Sequence, residues 1–325
     1  MKAWLCENLE GIGAMKFQEL PTPEPRPGEV RIAIRAASLN FPDLLIVEGK
    51  YQFKPALPFV PGSEFSGTVD ALGDGVTRLK LGQPVAVIAG TGGFATHACV
   101  DAGRVLPLPE GFAVEDGAAF AFTYGTSHHA LMDRAQLQPG ETVLVLGAAG
   151  GVGTAAVQIA KAAGARVIAA ASSDEKCALC IELGADASLN YTTDNVRERL
   201  KALTDGKGPD VVYDPVGGDL AEPVFRSIAW RGRYLVVGFA MGGIPALPWN
   251  LALLKGASVV GVFWGDFVRR EPEASAAGIA QLAQWYAQGK IKPVVDQRLP
   301  MAGLPAAYAR MGSRQVRGKM LLVNE

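Results

Sequence analysis

Residues 143–176 read VLVLGAAGGVGTAAVQIAKAAGARVIAAASSDEK. An apolar run leads into a cluster of glycines, a segment with one apolar helical face follows, and a second apolar run closes the stretch. Val152, Ala156, Ile159, Ala160 and Ala163 share that face, and Gly164 supplies a stop. Strand, glycine turn, helix and strand in this order predict a dinucleotide-binding unit. Gly150 lets the backbone approach a pyrophosphate, Gly153 lets the helix pack closely, and the helix N-terminus carries partial positive charge. Ala149, Gly150, Gly151 and Val152 are the candidate phosphate-facing residues. Ala148 stands where G-x-G-x-x-G has its first glycine, so the tight turn is expected to form with a methyl group present. The competing reading is a glycine-rich turn of an α/β sheet with no ligand.

The end of the second strand decides which dinucleotide fits. An acid about 20 residues past the glycines would accept from a ribose 2'-hydroxyl and repel a 2'-phosphate. Here Ala170 and Ala171 lead into Ser172, Ser173 and Lys176. Two hydroxyls and an ammonium suit a dianionic phosphate, so NADPH is expected over NADH. The same letters, SSDE, also read as an ordinary helix N-cap with the carboxylates of Asp174 and Glu175 in the first turn.

From this unit the pattern extends forward as ASLNY, NVRERLKALTDGKG, DVVYDPVG, LAEPVFRSIAW and GRYLVVGF, strands alternating with helices. Such alternation predicts parallel βαβ units in a doubly wound sheet. The first third differs. EVRIAIRAASLN, EFSGTVDALG, QPVAVIAG and GFATHACV are short strands between Gly and Pro turns, and they predict a compact β-barrel domain. The expected division is 1–118 with 265–325 as the barrel and 119–264 as the dinucleotide-binding domain, the final strands returning to the first domain. Within that last part, EASAAGIAQLAQWYAQGK reads as a long helix.

Composition sets outer bounds. A chain of 325 residues with 49% hydrophobic and 19% charged residues and a net charge of -1 predicts a globular protein without a polyanion-binding surface. The start, MKAWLCENLEG, has no apolar leader, and no run reaches the ~18 apolar residues of a membrane span, so a cytoplasmic location is expected. Cys6, Cys99, Cys177 and Cys180 do not make a disulfide framework, and Cys177 and Cys180 fall one turn apart on a helix.

NFPDLLIVEGKY, LPFVPGSEFSGTV, GETVLVLGAAGGVG, GADASLNY, GRYLVVGF and the terminal GKMLLV stand in one order along nearly the whole chain. In these motifs it resembles the zinc-free quinone oxidoreductase branch of the medium-chain dehydrogenase/reductase superfamily. The resemblance implies a GroES-like barrel beside a Rossmann domain, NADPH in the cleft between them, and a homodimer. In zinc-dependent relatives a Cys stands at the position of Asn40, a His within the motif that here reads Gly62, Ser63, Glu64, and a Cys at Phe122; none of these ligands is present. No other His/Cys cluster has ligand spacing, and the adjacent His128 and His129 are expected to point apart. Without a Lewis acid, the acceptor implied is one already open to hydride attack, a quinone or an activated alkene.

The resemblance also implies roles. Asn40 and Tyr51 would hydrogen-bond an acceptor oxygen as negative charge develops. Thr126 would lie against the nicotinamide, with Gly238, Phe239, Val262, Phe263 and Trp264 on the carboxamide side. Ser172, Lys176 and Tyr191 would form the 2'-phosphate pocket, and Lys319 would lie near the cofactor. Each has a plainer alternative: Asn40 as a turn residue before Pro42, Tyr51 as a packed aromatic, Trp264 as an anchor between domains. Two other functions are open at this stage. An enoyl-thioester or enone reductase would use Arg269, Arg270 and Arg314 for a carrier phosphate, whereas those arginines otherwise belong to solvated loops. A nucleotide-binding protein with a sensing, structural or RNA-binding role would need no turnover, though the chain has no basic stripe.

Overall fold

The computed structural model describes all 325 residues. The chain divides into two compact units, residues 1–122 with 293–325, and residues 123–292.

The first unit is built on strands β1 (Lys2–Leu5), β2 (Lys16–Glu19), β3 (Glu29–Ser38), β4 (Glu64–Leu72), β5 (Pro84–Ile88), β6 (His97–Asp101) and β7 (Val105–Pro107), with helices α1 (Phe41–Val47) and α2 (Val114–Gly117). In β3 the alternation Val30, Ile32, Ile34 places one face in the core, and its last residues, Ala36 to Ser38, are buried on both faces. β3 pairs antiparallel with β4 and with β6, and β4 continues through β5 to β7. Gly67 on β4 is required there, because a Cβ would fall 2.0 Å from Ala33 O across the ladder.

Helix α3 (Ala121–His128) contains the boundary between the units. The second unit carries β8 (Thr142–Leu146), α4 (Gly151–Ala162), β9 (Arg166–Ala171), α5 (Asp174–Glu182), β10 (Ala187–Asn190), α6 (Val196–Leu203), β11 (Val211–Asp214), α7 (Ala221–Arg226), β12 (Arg233–Val236), α8 (Asn250–Lys255), β13 (Ser258–Gly261), α9 (Trp264–Arg270) and α10 (Pro272–Ala287). Its six strands are all parallel, in the order β10-β9-β8-β11-β12-β13. The order reverses between β8 and β11, which is where a doubly wound sheet opens a crevice beyond its strand ends.

The remaining elements, β14 (Val295–Pro300), α11 (Leu304–Gly312) and β15 (Lys319–Val323), belong to the first unit. β15 pairs antiparallel with β3, Leu321 opposite Ser38, so the last strand extends the sheet begun near residue 30. The return comes at 293, later than the 265 expected from sequence, because α9 and α10 cluster with the parallel-sheet unit. The first division also moves, from 118/119 to 122/123. Two helices were not anticipated: α8, and α9, whose capacity to pair Asp266 with Arg269 and Arg270 favours a turn of helix.

The glycine turn differs in one detail from the motif reading. Gly147, at φ 58°, makes the left-handed turn, so Ala148 needs no unusual backbone and its methyl is buried. A Cβ on Gly153 would lie 2.2 Å from Gly147 O and 2.7 Å from Ala148 Cα. Gly153→Ala is therefore expected to destabilise the protein by about 1–3 kcal/mol in urea unfolding. Gly312→Ala, where a methyl meets nothing within 4 Å, is the matched control and is expected to be neutral.

Candidate active site

In the parallel-sheet unit the sequence-predicted residues gather beyond the carboxyl ends of the strands. Gly150 is the N-cap of α4, and the helix starts at Gly151 and Val152 with no side chain capping its amides. Those amides and the helix dipole are the elements that hold a pyrophosphate. A Cβ at Gly150 would come 3.3 Å from Gly147 O, so the turn is narrow as well as open. Ser127 anchors the first turn of α4: its hydroxyl donates to Val152 O at 2.9 Å and lies 2.9 Å from Tyr213 Oη. Thr126, the neighbouring residue, is buried beside this contact.

At the end of β9, Lys176 Nζ donates to Ser172 Oγ at 3.4 Å. Ser173, not Ser172, is the N-cap of α5, accepting from Lys176 N at 3.3 Å. The cap and the ammonium pocket therefore coexist on adjacent serines. Asp174 accepts from Asn190 Nδ2 at 2.8 Å, which ties it to the end of β10, and Glu175 is exposed. Tyr191 follows β10 and donates its backbone N–H to Ala171 O at 3.0 Å, placing it beside the same strand end.

The loops after β11 and β12 are locked together. Asp214 Oδ1 accepts from Val216 N and Gly217 N at 2.7 and 2.8 Å, and Oδ2 accepts from the Tyr234 phenol at 2.6 Å. Burial and this carboxylate push the Tyr234 pKa far up, so the phenol remains a donor. Gly218 N donates to Gly243 O, Ala240 N to Pro215 O and Met241 N to Val216 O, which seats Gly238 and Phe239 beside the β11 loop. Val262 is buried and Phe263 is exposed, whereas Trp264 is packed on Gly125, where a Cβ would lie 2.6 Å from its ring. His128 and His129 both border one small cavity of about 100 Å³, at the point where the helix widens into a π turn. They keep different neighbours: His128 Nε2 lies 2.6 Å from Gln281 Oε1, and His129 Nδ1 lies 2.8 Å from Asp133 Oδ2. Arg269 and Arg270 are both held by Asp266, at 2.6 and 2.5 Å.

The barrel unit holds a second constellation. Asp43, in the first turn of α1, accepts from Asn40 N at 2.8 Å and Ser63 N at 2.9 Å. Glu64, fully buried at the start of β4, accepts through Oε2 from Ser38 Oγ at 2.7 Å and Asn40 Nδ2 at 3.2 Å, and through Oε1 from Phe122 N at 2.8 Å. Into this group comes the ammonium of Lys319, with a side chain 5% exposed. It donates to Leu39 O at 3.0 Å, Asn40 Oδ1 at 2.5 Å and Glu64 Oε2 at 3.3 Å. Burial pushes the lysine pKa down, against the pull of Glu64 and then Asp43. Tyr51 is half-buried against the barrel core, and burial followed by the charge of Asp43 raises its pKa, so it keeps its proton at neutral pH.

Residues 26–110 match the family model for the alcohol dehydrogenase GroES-like domain, and residues 151–281 match that for zinc-binding dehydrogenases. Over 324 residues the chain is 38% identical to the quinone oxidoreductase-like protein 2 homolog of Nematostella vectensis, covering 99% of this chain and 88% of that one. The chain belongs to the quinone oxidoreductase branch of the medium-chain dehydrogenase/reductase superfamily. Among solved structures of this branch, the quinone oxidoreductase of Thermus thermophilus, also determined as its complex with NADPH, aligns over both full chains at 36% identity with a TM-score of 0.86. The Escherichia coli quinone oxidoreductase complexed with NADPH aligns over both full chains at 28% identity with a TM-score of 0.91.

Within this superfamily the barrel constellation takes on meaning. Asn40, Ser63 and Phe122, at the positions of zinc ligands in metal-dependent members, meet around Glu64: two donate to its carboxylate, and Ser63 Oγ lies 3.4 Å from Asn40 Nδ2. An amide, a hydroxyl and a backbone N–H thus stand at these positions around a carboxylate paired with the Lys319 ammonium, and no group of three or more His, Cys, Asp or Glu side chains is arranged to hold a metal. These donors do not fit a zinc ion, which takes thiolate, imidazole or carboxylate ligands. Two of the sequence-predicted residues have defined partners here: Lys319 donates to Leu39 O, Asn40 Oδ1 and Glu64 Oε2, and the Asn40 amide is hydrogen-bonded at both ends. The sequence did not point to Ser38 or to the lysine's partners, which lie up to 280 positions away.

Asp43 gives this site a pH signature. Burial outweighs its hydrogen bonds and raises its pKa from 3.8 to about 6. Because the folded value is the higher one, the protonated form is favoured on folding; that contribution is complete below the ordinary value and is lost as pH rises through about 6. A tenfold change in proton affinity is worth about 1.4 kcal/mol, so the loss is roughly 3 kcal/mol. Urea unfolding between pH 4 and pH 7 is expected to show Asp43→Asn with a flatter stability profile than wild type by about that amount.

Proposed function

We propose that this protein is an NADPH-dependent, zinc-independent oxidoreductase that reduces quinones or activated alkenes and works as a homodimer. NADPH supplies a hydride when bound. The observation that carries the acceptor class is the barrel constellation: its cation is a lysine ammonium already paired with Glu64. Such a site offers no Lewis acid for an unactivated carbonyl or alcohol, and so it suits acceptors that are electrophilic by themselves. The named relatives, and the quinone oxidoreductases solved in complex with NADPH, support the same reading.

The residues divide the work. The turn from Gly147 to Val152 and the N-terminus of α4 hold the pyrophosphate, and Ser172, Lys176 and Tyr191 receive the 2'-phosphate. Thr126, Gly238, Phe239, Val262 and Phe263 frame the nicotinamide end. Tyr51, protonated, and Asn40, whose Nδ2 contact to Ser63 is long at 3.4 Å, donate to the acceptor oxygen as it gains charge. Arg269 and Arg270, two of the cations a carrier-phosphate entrance would use, are both paired with Asp266. Edge strand β13 and the exposed Ile244, Trp249, Leu253 and Leu254 favour a symmetric contact between two copies.

The purified protein is expected to oxidise NADPH with benzoquinones or α,β-unsaturated ketones, to prefer NADPH over NADH, and to keep its rate after chelator treatment. A rate no greater than that of buffer overturns the function. Removing a charge-assisted hydrogen bond worth about 1.5–3 kcal/mol in Lys176→Ala is expected to reduce the NADPH preference at least about tenfold; an unchanged preference removes the lysine from the pocket. For the assembly, Leu253→Glu, at a side chain 78% exposed in the single chain, is expected to convert the dimer to a monomer in light scattering. A monomeric wild type overturns the dimer.

A further inference from the structure

The Asn40 side chain lies between two fixed charges. Its Oδ1 accepts from the Lys319 ammonium at 2.5 Å, and its Nδ2 faces Glu64 Oε2 at 3.2 Å and Ser63 Oγ at 3.4 Å. An ammonium has only hydrogens to give and an ionised carboxylate only lone pairs. The amide is therefore held in one sense; flipping it would set N–H against ammonium and oxygen against carboxylate at the same time. Its two N–H contacts are unequal. The one to Ser63 exceeds the usual N–H···O range, so that hydrogen is the one an incoming oxygen can take over.

We propose that Lys319 is a positioning residue for the reduction: by holding Asn40 Oδ1, it keeps the N–H end of the amide available to the acceptor oxygen on which negative charge develops. This rests on the function proposed above. Lys319 does not itself meet the acceptor, since its three hydrogens go to Leu39 O, Asn40 Oδ1 and Glu64 Oε2. Its action is on polarity. A positioned N–H stabilises an enolate or quinol oxyanion, whereas a flipped amide would present a carbonyl oxygen that repels it. Asp43 reinforces the arrangement by fixing the backbone of Asn40 and Ser63 from the other side.

The test is a double-mutant cycle on the full-length protein, with Lys319→Met, Asn40→Ala and the pair, read as kcat and KM for a quinone with NADPH. Lys319→Met is expected to lower kcat by about 10- to 100-fold, with the KM for NADPH unchanged. In the Asn40→Ala background the same change is expected to cost less than about twofold, because the residue it acts through is gone. Losses that multiply in the pair overturn the proposal.

Lys319→Met leaves Glu64 buried without its cation and is at risk of failing to fold. Lys319→Met is therefore also compared with its parent in a Glu64→Gln background, where no carboxylate is stranded; a kcat loss that vanishes there overturns the proposal. If wild type reduces neither quinones nor enones, the functional reading falls by itself. The positioning is then decided by the side-chain amide resonances of Asn40 in ¹⁵N-labelled protein, identified by their loss in Asn40→Ala. Faster hydrogen exchange of that amide in Lys319→Met supports the positioning, and unchanged exchange overturns it.

Discussion

The buried pair of Lys319 and Glu64 is the constraint on which the barrel unit depends. Two charges withdrawn from water are tolerated only when their remaining hydrogens and lone pairs are matched. Here the lysine's three hydrogens and both carboxylate oxygens have partners. Those partners come from the end of β3, the entry to α1, the start of β4, the first turn of α3 and the start of β15. Elements far apart in the chain are thus held to one point. The geometry at that point is set by hydrogen bonds of defined direction more than by apolar packing, which is less particular about orientation.

A superfamily otherwise able to build a metal centre at this place has here a centre made from the chain itself. A lysine differs from a dication in what it can do. It carries one charge and presents only N–H donors, so it can orient a neighbouring amide but cannot accept an oxygen into a coordination sphere. That difference connects the side-chain chemistry of the barrel with the kind of acceptor proposed. On the side of the parallel sheet, Asp214 does comparable work. By accepting from Val216, Gly217 and Tyr234 it ties the loop after β11 to β12, beside the backbone hydrogen bonds from Ala240 and Met241 that join the two loops.

Much of this architecture was legible in the letters. β8, β9 and β11 are short apolar runs separated by helix-length segments, and a parallel sheet buried on both faces demands that pattern. Ser172 and Lys176 at the end of β9 were legible because local order alone brings them together. The tight turn was read one residue late: GAAGGVG admits more than one alignment, and only the backbone angle at Gly147 shows which glycine turns. The end of the parallel-sheet unit was missed because α9 and α10 attach to it by tertiary packing. The role of Lys319 was not legible, since its partners Asn40 and Glu64 lie 279 and 255 positions away and no local pattern announces them.

The place of Lys319 near the C-terminus also sets an order of assembly. Synthesis delivers β3, α1 and β4 first, then the whole parallel-sheet unit, and β15 only at the end. Until that strand emerges from the ribosome, Glu64 has no cation and only the last residues of β3, Ala36 to Ser38, lack a neighbour on the side away from β4. The interrupted domain is therefore completed last, and the unit encoded between its two parts is free to fold before it.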